Sequence, residues 1–174
     1  TVPCTFYREA YGILCANFLD SYEVFELGGV SVAILGITTP ESFTKSTPSY
    51  FQDDNGDYIY GIAGGPDGEE LYDAVQEAID SASVEADYVI ALGHLGVDES
   101  SQPWTSREVI ANTTGLDAFI DGHSHTTLPL EEVTAAEGTT FILTQPGPYL
   151  EAAAQLPIPA DDPIHPNAPR ADHP

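Results

Sequence analysis

The stretch AFIDGHSHTTL, Ala118–Leu128, is an apolar run that ends in a cluster of polar residues. The run closes on Asp121, and His123 and His125 follow with one serine between them. Upstream, YVIALGHLG repeats the design once, with an apolar run that ends at His94. Because α/β sheets hold ligands at the carboxyl ends of their strands, we predict that the three histidines share one edge of a sheet.

Three histidines at strand ends favour a metal site, since imidazole is the commonest side-chain metal ligand. A spacing of two places both rings on one face of an extended strand, or lets them converge in a tight loop. We therefore predict His94, His123 and His125 as metal ligands. Asp121 is the candidate second-sphere acceptor that fixes a histidine tautomer. An α/β domain with incidental histidines stays open as an alternative.

The rest of the chain has the pattern of an α/β sheet with crossover helices, because predicted strands and helices alternate. The long segment between residues 39 and 67 is turn-rich, and its aromatic side chains are expected to pin it to the body of the domain. The predicted elements are a Gly-Gly hairpin of Tyr22–Leu27 and Val30–Thr38, a helix over Gly68–Glu85, a strand over Tyr88–Leu95, a short helix capped by Thr105 and Glu108, and strands over Leu116–Asp121 and Thr139–Thr144.

Composition indicates one globular domain with an unusual charge. The chain has 174 residues, 42% of them hydrophobic, and no apolar run long enough to span a membrane. It carries 28 acidic and 4 basic residues, a net charge of −24 that disfavours a nucleic acid duplex as partner. Lys45 is the single lysine and methionine is absent. Adaptation to high salt would explain the scarcity of lysine but not the absence of methionine. Loss of lysine and methionine positions from the printed sequence would explain both, and we favour this second explanation.

Three further features of the sequence concern its cysteines, its targeting and its final residues. Two cysteines, Cys4 and Cys15, are too few for a disulfide scaffold, so free thiols and a single bridge both stay open. No signal-peptide pattern is present in the chain. Residues 157–174 are rich in proline and predict a tail or linker rather than core.

GHLG at Gly93–Gly96 and IDGHSHT at Ile120–Thr126 together resemble the carboxyl-terminal half of a calcineurin-like metallophosphoesterase domain. The closer resemblance is to the 5'-nucleotidase and 2',3'-cyclic-nucleotide phosphodiesterase branch. Further segments follow in that family's order, and the resemblance covers about residues 10–158. These segments include ILCANFLD (Ile13–Asp20), GGVSVAILGITTPES (Gly28–Ser42) and FILTQPGPYLEA (Phe141–Ala152).

The resemblance implies an α/β fold in which residues 1–156 form part of a metallophosphoesterase sandwich, β-sheets flanked by helices. It implies two divalent ions, zinc or manganese, with His94 and His123 on one and His125 on the other. It also implies a nucleotide substrate, an in-line displacement at phosphorus and an exported protein.

In the family, Asp-x-His, Gly-Asp and Asn-His-Glu motifs precede the segment that matches Ile13–Asp20, and residues 1–12 of this sequence contain none of them. We therefore expect these 174 residues alone to be nearly inactive. A second hypothesis is a non-catalytic module that binds divalent metal or a partner and retains the GHSH segment.

Overall fold

The computed structural model of the chain describes residues 6–8, by their backbone, and residues 20–155. The interpretations placed on Cys4, Cys15 and the 157–174 tail lie outside these residues, as does nearly all of the segment Ile13–Asp20.

In the described residues, eight strands form two sheets. A small sheet pairs β1 with β4, and the main sheet has six strands in the order β2-β3-β5-β6-β8-β7. The strands are β1 Phe6–Arg8, β2 Tyr22–Leu27, β3 Val30–Thr38, β4 Tyr60–Ile62, β5 Tyr88–His94, β6 Ala118–Ile120, β7 Thr127–Thr134 and β8 Thr140–Pro146.

The first two strands of the main sheet form the hairpin that the sequence predicts. β2 and β3 are antiparallel, and Leu27 pairs with Val30 across a two-residue turn. Gly28 and Gly29 both have positive φ, 66° and 88°, which is the backbone that this type of turn demands and that glycine adopts without steric cost.

The four central strands, β3, β5, β6 and β8, are parallel. Leu92 of β5 pairs with Ile120 of β6, so these two strands end side by side. His94 is the last residue of β5, and the loop with His123 and His125 follows β6 directly. The sheet therefore brings the two histidine motifs to one edge.

Helices cover one face of the main sheet. α2 (Glu69–Ala82) buries the face that the sequence pattern predicts, and α3 (Ser106–Asn112) is capped by Thr105, whose hydroxyl accepts from the Glu108 N–H at 3.3 Å. Within residues 6–8 and 20–155, no helix is both long and apolar enough to cross a membrane. The buried face of α2 comprises Leu71, Tyr72, Val75, Ala78, Ile79 and Ala82.

The turn-rich segment after β3 is more ordered than its composition suggests. It contains α1 (Ser42–Lys45) and a 3-10 turn over Pro48–Phe51. Three of its aromatic rings are in contact, with Phe43 5.0 Å from both Phe51 and Tyr58 between ring centroids. The segment thus has a small aromatic cluster of its own.

The sequence reading missed β7, which pairs antiparallel with β8 at the edge of the sheet. Pro129 and the adjacent acids Glu131 and Glu132 interrupt its apolar–polar alternation. A register shift between Leu128 and Glu131 accommodates this interruption. An edge strand tolerates proline because one of its sides needs no hydrogen-bond donor.

The two faces of the main sheet differ in burial. The helical face contributes Ala33, Leu35 and Phe119 to the main core. The opposite face carries a smaller cluster around Val32 and Ile90. At the carboxyl end of that second face Leu92 is 53% exposed. The structure is thus an α/β sheet flanked by helices, as predicted.

Candidate metal centre

The structure packs two of the three predicted histidines together. The ring centroids of His94 and His123 are 5.0 Å apart, with the ring planes at 68°. A Cβ atom at Gly122 would lie 3.0 Å from Nδ1 of His94, so a side chain at this position would push the ring away. The glycine of the GHSH segment therefore makes the close approach possible.

The backbone of the GHSH loop is unusual, because two non-glycine residues in it have positive φ. His123 lies at 82° and His125 at 57°. Left-handed backbone is uncommon outside glycine, and it concentrates where surrounding structure enforces a functional geometry. The loop thus holds its histidines in place by a conformation that the neighbouring contacts must support.

Gln145 of β8 supplies much of that support. Its amide is 1% exposed, and its Nε2 donates to the Gly122 carbonyl at 2.9 Å. Its Oε1 accepts from the Thr126 N–H at 2.8 Å and from the Ser124 hydroxyl at 2.9 Å. One buried side chain therefore ties both ends of the loop to the neighbouring strand.

Asp121 is buried, at 4% exposure, and joins the ends of β5 and β6. Its Oδ1 accepts from the Leu95 N–H at 2.9 Å, and Oδ2 lies 3.4 Å from Nε2 of Gln145. Among the hydrogen bonds of the described residues, those of Asp121 thus go to a backbone amide and a side-chain amide rather than to a histidine ring. Its charge nevertheless acts on His94 at short range.

The carboxylate that bonds to a histidine ring is Glu41, in the loop after β3. Oε2 of Glu41 lies 2.9 Å from Nε2 of His123 and accepts from the Ser101 hydroxyl at 2.7 Å. Oε1 pairs with Nζ of Lys45 at 2.8 Å. Burial raises the pKa of Glu41, but the hydrogen bonds from Lys45, Ser101 and His123 outweigh it and leave the pKa lowered. The sequence reading missed Glu41, since nothing local in TTPES signals a partner 82 residues away.

The pKa of His94 is lowered from its ordinary value, which favours the neutral ring that binds metals. Partial burial is the largest cause, and the neighbouring His123 and His125 lower the pKa further, against an opposing effect of Asp121. Because a divalent ion competes with a proton for the ring nitrogen, a lowered pKa favours metal binding at neutral pH.

His125 is exposed, with its ring centroid 6.1 Å from that of Tyr149, and it lies near enough to His94 to lower the pKa of that ring. Over residues 20–155 no three side chains of the His, Cys, Asp or Glu type are grouped closely enough to hold a metal ion. The two imidazole donors that lie together are His94 and His123, and Gly122 leaves room for the His94 ring beside the loop.

An open cavity of about 330 Å³ lies elsewhere, between α2 and α3. Its lining includes Asp67, Glu69 and Glu108 and none of the histidines. Three carboxylates disfavour an anionic ligand there, so the chemistry of the chain is concentrated at the histidine loop.

No protein-family model matches the sequence, and no curated protein is similar enough to match it. Solved structures do match. The calcineurin-like phosphoesterase YfkN from Bacillus subtilis is 20% identical with a TM-score of 0.60, over 84% of this chain and 46% of that one. The sulfate thiohydrolase SoxB from Thermus thermophilus is 16% identical with a TM-score of 0.58, over 83% and 22%. The NAD nucleotidase NadN from Haemophilus influenzae is 14% identical with a TM-score of 0.54, over 84% and 28%.

This chain therefore spans less than half the length of each of these three proteins. With the six-stranded mixed sheet, its flanking helices and the histidine loop at the strand ends, it has the fold of the calcineurin-like phosphoesterases.

Proposed function

We propose that the chain is part of a metal-dependent phosphoester hydrolase that acts on nucleotides, a 5'-nucleotidase or a 2',3'-cyclic-nucleotide phosphodiesterase. The observation that carries the proposal is the packed pair of His94 and His123 where β5 and β6 end. The fold agrees with it, since YfkN and NadN are by name a phosphoesterase and a nucleotidase.

In this proposal His94 and His123 hold one divalent ion and His125 contributes to a second. The resemblance implies zinc or manganese, and the imidazole donors favour zinc because manganese prefers oxygen ligands. When bound, the ions supply Lewis-acid stabilisation of the charge on a phosphoryl group. Gln145 supports the left-handed backbone of the loop, and Asp121 joins the ends of β5 and β6, so both restrict the positions of the histidines.

Electrostatics supports a role for cations. Glu41 and Asp121 place carboxylates beside the histidines, and a phosphate monoester is itself an anion. Without neutralisation the two repel each other. A pair of divalent ions on neutral imidazoles brings positive charge to the substrate without removing the acidic surface.

The open face of the sheet supports the proposal that residues 1–156 are part of a larger domain. Strand alternation puts His94 on the same face as Ile90 and Leu92. On this face Leu92 is 53% exposed and Ile120 is half-buried. A second layer carrying the Asp-x-His and Asn-His-Glu motifs would cover these apolar side chains and complete the ligand set.

We also propose that the protein is exported, as in the branch that the sequence resembles. Expression of the protein as its gene encodes it, followed by cell fractionation and immunodetection, tests this. Recovery of all of the protein in the cytoplasmic fraction would contradict it.

The activity test uses the polypeptide that the gene encodes, upstream coding sequence included. With Zn²⁺ or Mn²⁺ we expect phosphate release from AMP or opening of 2',3'-cyclic AMP, and loss of either activity in His123→Ala. His165→Ala is the matched control, because it removes a histidine outside both motifs, and its turnover should be unchanged. Full turnover by His123→Ala at limiting metal would contradict the proposal.

The 174 residues alone are expected to be nearly inactive on AMP and on bis-p-nitrophenyl phosphate. They lack the motifs that would complete two metal sites and supply a proton donor, and positioned proton transfer contributes about 10²–10⁴-fold in rate. Turnover near that of the longer polypeptide would show that those motifs are dispensable.

A second candidate is a non-catalytic module that binds divalent metal or a partner and retains the GHSH segment. In the part of the chain that the structure describes, no three candidate ligands form a group, so these residues do not by themselves complete a two-metal catalytic centre. This candidate predicts Zn²⁺ binding without phosphoester hydrolysis even in the longer polypeptide. The activity test above therefore separates the two candidates.

A further inference from the structure

Glu41 makes the hydrogen bond that determines how the His123 ring is presented. The contact joins Oε2 of Glu41 to Nε2 of His123 at 2.9 Å, between residues 82 positions apart in sequence. Both side chains are largely buried, at 12% and 11% exposure. Neither GHLG nor GHSH contains this carboxylate, and the phosphoesterase proposal does not assign it a role.

The position of Glu41 is itself set by two other side chains. Lys45, one helical turn further along, pairs with Oε1 at 2.8 Å. The hydroxyl of Ser101, which is 2% exposed, donates to Oε2 at 2.7 Å. The carboxylate is thus anchored on both oxygens and aimed at the histidine.

The geometry selects one ring nitrogen of His123. An ionised carboxylate can only accept, so Nε2 of His123 must carry the proton in this contact. A Cβ atom at Gly96 would lie 3.3 Å from Cδ2 of the same ring, so the Cδ2–Nε2 edge packs against protein. Nδ1 is then the nitrogen whose lone pair remains for a metal.

We infer that Glu41 is a positioning residue for the metal centre, one that holds Nε2–H of His123 and presents Nδ1 to the ion. This inference rests on the proposed metal site. A carboxylate that accepts from the distal N–H of a metal-binding imidazole orients the ring and raises its basicity, and its loss typically lowers metal affinity about 10–100-fold.

The first test needs no variant. In the metal-free chain, labelled with ¹⁵N, we expect the ring Nε2–H of His123 to exchange slowly enough with water to be observed by NMR. On addition of Zn²⁺ the Nδ1 resonance should shift strongly while the Nε2 proton persists. Loss of the Nε2 proton as Zn²⁺ binds would show that the metal displaces Glu41, and would overturn the inference.

The second test compares Zn²⁺ affinities by competition with a chelating dye. Glu41→Ala should lose about 10–100-fold. Glu41→Gln keeps an acceptor for Nε2–H and should recover part of that loss. Glu77→Ala removes an exposed carboxylate from α2 and should bind Zn²⁺ like the unaltered chain. Lys45→Ala removes one of the two anchors of Glu41 and should lose less affinity than Glu41→Ala.

The outcomes separate this inference from the function it rests on. If the unaltered chain does not bind Zn²⁺, the proposed metal site fails, while the metal-free NMR spectrum still tests the Glu41–His123 contact. If the chain binds Zn²⁺ through His94 and His123 and Glu41→Ala binds equally well, the metal site stands and the role of Glu41 is refuted. If Glu41→Ala is unfolded by circular dichroism, the Glu41→Gln affinity and the spectrum of the unaltered chain decide.

Discussion

The surroundings of His94 lower its pKa, which favours metal binding over protonation at this ring. Its ring lies 5.0 Å from that of His123, and the proton that one ring gains is disfavoured by charge on the other. Burial acts in the same direction and is the larger cause. The nearby Asp121 carboxylate acts in the opposite direction, but the net effect is a lowered pKa.

This predicts the pH behaviour of the metal-free chain. An unfolded histidine titrates near pH 6.5. Because the folded pKa of His94 is lower, the unfolded state takes up its proton first as the pH falls. The contribution of His94 to the free energy of unfolding is therefore constant above about pH 6.5. It declines as the pH falls from there to the folded pKa. An NMR titration should place the His94 midpoint below 6.5, and His123→Gln should raise it.

A His94 midpoint at or above 6.5 in the folded chain would contradict this reading of its surroundings. An unchanged midpoint in His123→Gln would show that the neighbouring ring has no part in the shift. Circular dichroism at each pH keeps acid unfolding from being mistaken for titration.

At this scale the sequence predicts some site residues and not others. GHLG and GHSH mark the histidines because short motifs at strand ends carry their own signal. Glu41 and Gln145 carry none, since each acts on the loop from a distant part of the chain. Such contacts depend on the register of the sheet, which sequence periodicity does not specify.

Among the elements, β8 matters for the site because Gln145 lies on it. Gln145→Ala would leave the Gly122 carbonyl, the Thr126 N–H and the Ser124 hydroxyl without this partner in a largely buried place. We expect a loss of about 1–3 kcal/mol in unfolding free energy by urea denaturation. The exposed Gln102, replaced by alanine, is the matched control and should change stability by less than about 0.5 kcal/mol.

Equal stabilities for Gln145→Ala and Gln102→Ala would mean that the loop does not depend on Gln145. We also expect Gln145→Ala to bind Zn²⁺ more weakly than the unaltered chain, because the left-handed backbone at His123 and His125 loses its support.

A different contact fastens α3 to the edge strand β7. Arg107 donates from Nε and Nη2 to the two carboxylate oxygens of Glu131, at 2.9 and 2.7 Å, and from Nη1 to the Val97 carbonyl at 2.8 Å. The two parallel hydrogen bonds form a bidentate pair, which matches the planar guanidinium to the planar carboxylate. The pair is partly exposed, at 43% for Arg107 and 29% for Glu131, so solvent screens it.

Arg107→Ala should therefore lower the unfolding free energy by only about 1 kcal/mol, measured by urea denaturation. Arg107→Lys keeps the charge but not the fork and should recover less than half of the loss. If Arg107→Lys is as stable as the unaltered chain, the bidentate geometry contributes nothing beyond charge.

The elements follow the sequence patterns where those patterns are regular. The Gly-Gly hairpin, the amphipathic α2 and the Thr105 cap are all confirmed, with helix and strand ends shifted by a few residues. β7 was missed because a proline and two adjacent acids obscure its alternation, and pairing with β8 decides its conformation. The expectation that the aromatic residues after β3 pin their segment to the body stays a prediction; the structure shows Phe43 in contact with Phe51 and Tyr58 within the segment.

For the whole molecule, the topology joins the sequence motifs into one site. The parallel order of β5 and β6 places two separate histidine motifs at one edge, as the position of each motif after an apolar strand predicts. The full ligand set of the resembled family is not predicted for these residues, because the three motifs that precede the segment matching Ile13–Asp20 are absent from residues 1–12. His94 and His123 as a metal-binding pair is therefore the central claim.

A titration of the chain with Zn²⁺ against a chelating dye tests that claim most directly. We expect one Zn²⁺ site whose affinity falls at least about tenfold in His94→Ala and in His123→Ala. Each variant removes a ligand, and even the loss of a residue that only hydrogen-bonds to a ligand lowers metal affinity about 10–100-fold. His165→Ala, outside both motifs, should bind like the unaltered chain. If the His94 and His123 variants bind Zn²⁺ as tightly as His165→Ala does, the histidine pair is not a metal centre and the account is wrong.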